Sequence, residues 1–233
     1  MKKKNQFLIL VLALGLVLSG VPSRAASSGA LEGTVTVTAP PRPAPQQAYG
    51  SDSNYGKSNY GSPAVPSHEL PEEIVVYLKK VPGSFKPPKE PVVLEQKYIQ
   101  FAHRVLPILA GTTVEFVNQD AVYHNVFCNS QVNPRFDLGR KLKGETARVK
   151  FKHPEDVKLY CEIHASMKAH LLVLQNPYFT VTAPGGHYSL SHVPPGHYEL
   201  VAWHDYWAPV TQKVTVKKGK TSEADITLDR VQN

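Results

Sequence analysis

Residues 157–174 read VKLYCEIHASMKAHLLVL. Val157 to Tyr160 alternates as a half-buried strand does, and His170 to Leu174 is an apolar run of strand length. Cys161-Glu162-Ile163-His164-Ala165-Ser166-Met167 is therefore a tight loop between two strands, with Cys-x2-His-x2-Met spacing. Upstream, Thr113 to Val117 alternates, a turn follows, and His124-Asn125 comes next. Two imidazoles and one thiolate make a trigonal set, and a thioether adds a weak fourth donor, which is the donor set of an electron-transferring copper centre. Cu(I) favours soft sulfur and Cu(II) favours imidazole, so a set between the two preferences lets one electron come and go with little rearrangement. Zinc explains the set less well, because a thioether is a poor zinc ligand. The residues thus predict a copper site at His124, Cys161, His164 and Met167.

At these residues the chain resembles the cupredoxins. The Cys161-x2-His164-x2-Met167 loop is most like the short ligand loop of amicyanin, and His124-Asn125 resembles the upstream pair of plastocyanin and amicyanin. The resemblance covers about residues 96–174. It implies a Greek-key β-sandwich, a type 1 (blue) copper centre and single-electron transfer without enzymatic turnover. It gives Asn125 the role of tying the two ligand loops together by hydrogen bonds. It also implies that His164 shows its ring edge at an apolar patch, supplied by Ile163, Ala165 and Pro107, where a redox partner docks. A quinoprotein dehydrogenase or a cytochrome c is the partner type the likeness suggests.

Beyond this region the chain reads as β throughout, with turn signals between short strands, so the expected fold class is all-β. The last sixty residues have a different rhythm: Gly185-Gly186 as a turn, His187-Tyr188-Ser189-Leu190 as a strand, Val193-Pro194-Pro195-Gly196 as a turn, His197 to Trp203 as a strand, and Val214 to Leu228 as a closing hairpin. This part resembles the carboxypeptidase-regulatory-like, or transthyretin-like, β-sandwich. That family begins with strands like Leu31 to Val35 and Ile74 to Leu78, which here lie far upstream. The expected organisation is a signal peptide at 1–25, the first strands of a split sandwich at 26–93, a cupredoxin domain at 94–173 inserted within it, and the rest of the sandwich at 174–233. Between the early strands, 39–70 is rich in Pro, Ser, Gly, Tyr and Gln and has too little apolar area to offset its ordering entropy, so it reads as disordered.

Lys2-Lys3-Lys4, an apolar stretch from Phe7 to Gly20 and small residues before Ala25 have the pattern of a cleaved secretory signal. The apolar stretch is short for a bilayer span of about 20 residues. The expected location is periplasmic or extracellular, with no membrane span after cleavage. Removing Lys2, Lys3, Lys4 and Arg24 takes the formal net charge from +7 to +3, too weak a balance to argue for nucleic acid.

Several residues admit more than one reading. Cys128 reads as a small buried apolar residue, as a disulfide partner of Cys161, or as a metal contact. His170 is the best further candidate near the copper, against a strand-start histidine with a satisfied hydrogen bond. Trp203-His204-Asp205 lacks a matching nucleophile and reads as packing and turn chemistry. Glu72-Glu73 and Lys217-Lys218 read as solvated charge. Two functions compete with electron transfer: copper binding and delivery, and a non-redox carbohydrate- or protein-interaction module.

Overall fold

The computed structural model describes residues 28–38 and 73–229. The expected signal peptide and the 39–70 segment lie outside the described residues. The strands, in chain order, are β1 (Gly29–Val37), β2 (Val75–Leu78), β3 (Val92–Lys97), β4 (Gln100–Phe101), β5 (Val105–Leu109), β6 (Thr113–Asn118), β7 (Phe127–Cys128), β8 (Phe136–Asp137), β9 (Thr146–Lys150), β10 (Glu155–Tyr160) and β11 (Lys168–Leu174). They continue with β12 (Phe179–Val181), β13 (His187–Val193), β14 (Gly196–His204), β15 (Trp207–Val216), β16 (Thr221–Glu223) and β17 (Ile226–Leu228). The fold is all-β, with no helix among the described residues. No helix there is long and apolar enough to cross a membrane.

Four sheets form two sandwiches. The middle of the chain supplies β5-β11-β10-β7-β8 and β4-β3-β6-β9, whose inward side chains, among them Leu94, Ile108, Phe116, Phe151, Leu159 and Leu171, make one core. The other sandwich pairs β12-β2-β14-β15 with a sheet in which β1 is flanked by β13, β16 and β17. Leu31, Val35, Ile74, Leu78, Leu200 and Leu228 lie in its core. Strands β1 and β2, from the start of the chain, thus hydrogen-bond to strands from its last third. The turn before β13 needs Gly186: its φ is +83°, and a Cβ there would meet the Val35 carbonyl oxygen at 2.1 Å.

The period-2 rule explains how the sandwiches meet. Along β11, Ala169, Leu171 and Val173 enter the core of the mid-chain sandwich, whereas Leu172 and Leu174 point the other way and pack with Val75 and Val105. Tyr77, Phe179, Val181 and Trp203 close over that small cluster. This is why His170 to Leu174 reads as an unbroken apolar run: both faces of the strand are covered. Polar clasps border the cluster. Glu73 accepts the main-chain N–H groups of Arg104 (2.6 Å) and Val105 (3.1 Å) and pairs with His103, so it is a tether rather than the solvated charge the sequence suggested. The Arg104 guanidinium forks onto the Asp205 carboxylate and lies 4.2 Å from the Tyr206 ring centre.

The expected closing hairpin from Val214 to Leu228 is corrected. β15 pairs with β14, while β16 and β17 run parallel to β1 in the opposite sheet. The turn at 217–220 carries the chain across the sandwich, so Val214 and Val216 enter the core from one side and Ile226 and Leu228 from the other. Sequence alternation is the same in either case, because it records burial and not the pairing partner.

His204 is 2% exposed, and its Nδ1 accepts the Tyr206 N–H at 3.2 Å. Burial lowers its pKa from 6.5 to about 4; Asp205 opposes this, and Arg104 and His170 add to it. Between those two values the unfolded chain binds a proton that the folded chain refuses, so stability falls as pH drops from about 6.5 to about 4, by on the order of 3 kcal/mol. Urea denaturation across that range is expected to show a shallower acid loss in His204→Gln than in the wild type. Equal slopes would contradict the assignment.

Candidate metal centre

The loop after β10 is closed by its own backbone. The Cys161 N–H donates to the Met167 carbonyl (3.2 Å) and the Met167 N–H to the His164 carbonyl (3.0 Å). Cys161 and Met167 are thereby turned inward, 4% and 1% exposed, while Ile163 is exposed and His164 half-buried. His124 arrives from the segment between β6 and β7. Its backbone exchanges two hydrogen bonds with Lys141 (3.1 and 2.6 Å), and its side chain is fully buried.

The two loops bring one donor atom each from His124, Cys161 and His164 within 4.8 Å of one another. The two Nδ1 atoms face each other at 3.1 Å, and the Cys161 sulfur lies 3.9 Å from the His164 Nδ1. Met167 sits in the same buried cluster as Cys161 and Cys128. Both cysteines are free, so the disulfide reading falls. Cys128 is 2% exposed, its thiol is directed at the Pro134 carbonyl and pushed up in pKa mainly by burial, and it packs in the core.

Asn125 joins the loops. Its Oδ1 accepts the Glu162 N–H at 2.7 Å, its Nδ2 donates to Asp137, and its own carbonyl accepts from Gln96 Nε2. Three residues that sequence reasoning missed complete the frame. Asn118, 1% exposed, donates from Nδ2 to the carbonyls of Val122 (2.8 Å) and Lys141 (2.7 Å). Gln96 is equally buried. Asp120 contacts the His124 Nε2 at 2.8 Å. Asn118 ends β6 on its inward face, in phase with Val114 and Phe116, and Asp120 lies in the loop that follows; the legible sign is a polar residue at an inward strand position, followed by Gln119-Asp120 ahead of a ligand.

The electrostatics suit a cation. Burial alone raises the Cys161 pKa, but hydrogen bonds to His124, to the Asn125 and His164 N–H groups and to the His164 ring outweigh it, and the thiol is lowered to about 6. Burial alone lowers His124, yet Cys161 and Asp120 hold it above its usual value. Burial also works against the Asp120 carboxylate, and the Ile99 and Tyr98 N–H groups and His124 bring it below the ordinary range. A thiol poised to ionise and two converging imidazole nitrogens fit a soft metal ion.

Of the two readings of His170, the strand histidine with a satisfied hydrogen bond holds: its Nδ1 pairs with Asp156 at 2.7 Å, its Nε2 lies 3.7 Å from Asp205, and its ring lies against Trp203. The expected place of Pro107 changes. Pro107 pairs with Leu172 on β11, five residues along the strand from Met167 and so roughly 16 Å away. Of the three residues expected at the apolar rim, Ile163 and Ala165 are exposed on the ligand loop itself.

Residues 90–174 match the family of copper binding proteins, plastocyanin/azurin family, and residues 167–229 match the carboxypeptidase regulatory-like domain. Among solved structures, a Cu(I) amicyanin variant is 20% identical over 36% of this chain and 81% of that one, with a TM-score of 0.33. An oxidised amicyanin variant is 20% identical over 36% and 83%, with a TM-score of 0.34. A copper-containing nitrite reductase from Thermus scotoductus SA-01 is 28% identical over 42% of this chain and 25% of that one, with a TM-score of 0.36. No curated protein matches the chain. Residues 90–174 are thus similar to copper binding proteins of the plastocyanin/azurin family, and residues 167–229 to carboxypeptidase regulatory-like domains.

Asn125→Ala removes the acceptor for the Glu162 N–H. Copper-free protein carrying it is expected to lose about 1–3 kcal/mol in urea denaturation, with Asn125→Asp, which keeps an acceptor, losing less. An unchanged midpoint in Asn125→Ala would contradict the tie between the loops.

Proposed function

We propose that the chain is an exported type 1 copper protein that passes single electrons between redox partners, in which His124, Cys161 and His164 would hold the copper and Met167 would add a weaker thioether donor. The observation that carries this reading is the convergence of two Nδ1 atoms and one sulfur within 4.8 Å inside a buried rim. Copper held there supplies a one-electron Cu(II)/Cu(I) couple. The protein supplies rigidity: Asn125, Asn118 and the Lys141 bridge fix the two ligand loops in advance, so the donor geometry is set by the sandwich and changes little with oxidation state. Cys161 supplies negative charge to the ion, and burial of His124 and Met167 keeps water from a further coordination position. His164, half-buried beside exposed Ile163, is the edge at which a partner comes near.

In this reading residues 94–173 form the copper domain inserted in a second sandwich built from both ends of the chain. Residues 1–25 direct export to the periplasm or beyond, and the partner is a redox protein such as a quinoprotein dehydrogenase or a cytochrome c. The role is that of a carrier and not of an enzyme.

Copper loading of the wild type, Cys161→Ser and Cys128→Ser tests this. The wild type and Cys128→Ser are expected to show an intense thiolate-to-copper absorption and narrow copper hyperfine splitting, and Cys161→Ser neither. A colourless, freely exchanging Cu(I) complex would instead indicate copper delivery, and no uptake an interaction module.

A further inference from the structure

A fully buried imidazole whose one nitrogen faces a metal needs a partner for the other. For His124 that partner is a carboxylate: Asp120 Oδ2 lies 2.8 Å from Nε2, which leaves Nδ1 directed at the cluster. Asp120 is itself immobilised. Oδ1 accepts the Tyr98 N–H (2.8 Å), Oδ2 accepts the Ile99 N–H (2.9 Å), and the Asp120 N–H donates to Asn118 Oδ1 (2.8 Å).

The turn that offers those N–H groups is unusual. Tyr98 and Ile99 link β3 to β4 as a two-residue hairpin, and both have φ of 58°. Such turns use Asn-Gly or similar pairs, and the left-handed region is unfavourable for a β-branched residue. Here the side chains are a tyrosine and an isoleucine, and the two N–H groups converge on one carboxylate. Backbone strain of this kind persists where surrounding contacts over-determine it, often beside a functional group. A carboxylate on the far side of a ligand ring strengthens the ring as a donor and favours the more positive oxidation state of the ion it binds.

Resting on the copper reading above, we propose that Asp120 is the positioning residue of the centre: it fixes His124 with Nδ1 toward the metal, and its charge lowers the reduction potential. The strained 98–99 turn exists to hold that carboxylate in place.

Reduction potentials of copper-loaded wild type, Asp120→Asn and Tyr98→Gly test the proposal. Asp120→Asn keeps the size and removes the charge. It is expected to shift the Cu(II)/Cu(I) equilibrium at least tenfold toward Cu(I), which for one electron is about 59 mV more positive. Tyr98→Gly keeps the N–H and the carboxylate while relieving the turn, and is expected to shift the equilibrium less than twofold. A purely structural clasp would leave the potential of Asp120→Asn within twofold of the wild type, and that result overturns the proposal. Nitrogen-15 NMR of the Cu(I)-loaded wild type gives a second reading that needs no variant. A slowly exchanging proton on His124 Nε2 supports the clamp, and a proton on Nδ1 overturns it. A wild type that takes up no copper overturns the parent reading and this one together. A blue wild type whose potential ignores Asp120 overturns this one alone.

Discussion

Burial of His124 is the constraint around which the copper-side sandwich is arranged. An imidazole with no solvent contact has to satisfy both ring nitrogens from inside the protein. One is met by Asp120; the other faces His164 across 3.1 Å and lies close to the Cys161 sulfur. Two nitrogens and a readily ionised sulfur packed so closely repel or share protons unless a cation lies among them. The hydrogen bonds of Asn118, Asn125 and Gln96 keep the loops from relaxing away from that arrangement. The site is thus paid for in polar burial, and the surrounding apolar core, from Leu94 to Val173, keeps the frame stiff.

The second sandwich is coupled to this frame through β11. The strand that leaves the ligand loop at Lys168 gives one face to the copper-side core and the other to Val75 and Val105. Three residues past Met167, His170 lies between Asp156 and Asp205, and Asp205 also receives Arg104. The contact between sandwiches is therefore small, apolar at its centre and ionic at its edge, and it begins within one turn of chain from the ligands. Burying Leu172 and Leu174 there is worth roughly 1.5–3 kcal/mol each.

Much of this was legible in the sequence, for local reasons. The ligand loop announces itself because its spacing is short and its flanking strands alternate. His124-Asn125 is found by looking for the missing imidazole. The doubly buried β11 shows as an unbroken apolar run, although the sequence does not say what covers its second face. What was not legible is pairing at a distance. Val214 to Leu228 has hairpin-like alternation, but its halves belong to opposite sheets. Glu73 reads as a surface acid, yet it accepts two main-chain N–H groups from the other sandwich. Asn118 falls on the inward face of β6 but is polar there, and Asp120 lies in the loop beyond it, so their roles emerge only once the 98–99 turn and the Lys141 segment fold over them. Pro107 was placed at the rim by likeness, and the register of β5 on β11 puts it elsewhere.

The central claim is that one sulfur and two imidazole nitrogens share a single copper ion. X-ray absorption at the copper edge of the loaded wild-type protein reads that coordination shell directly. One short copper–sulfur scatterer together with two nitrogen scatterers is the expected result. A shell of nitrogen and oxygen alone, with no short sulfur distance, would contradict it.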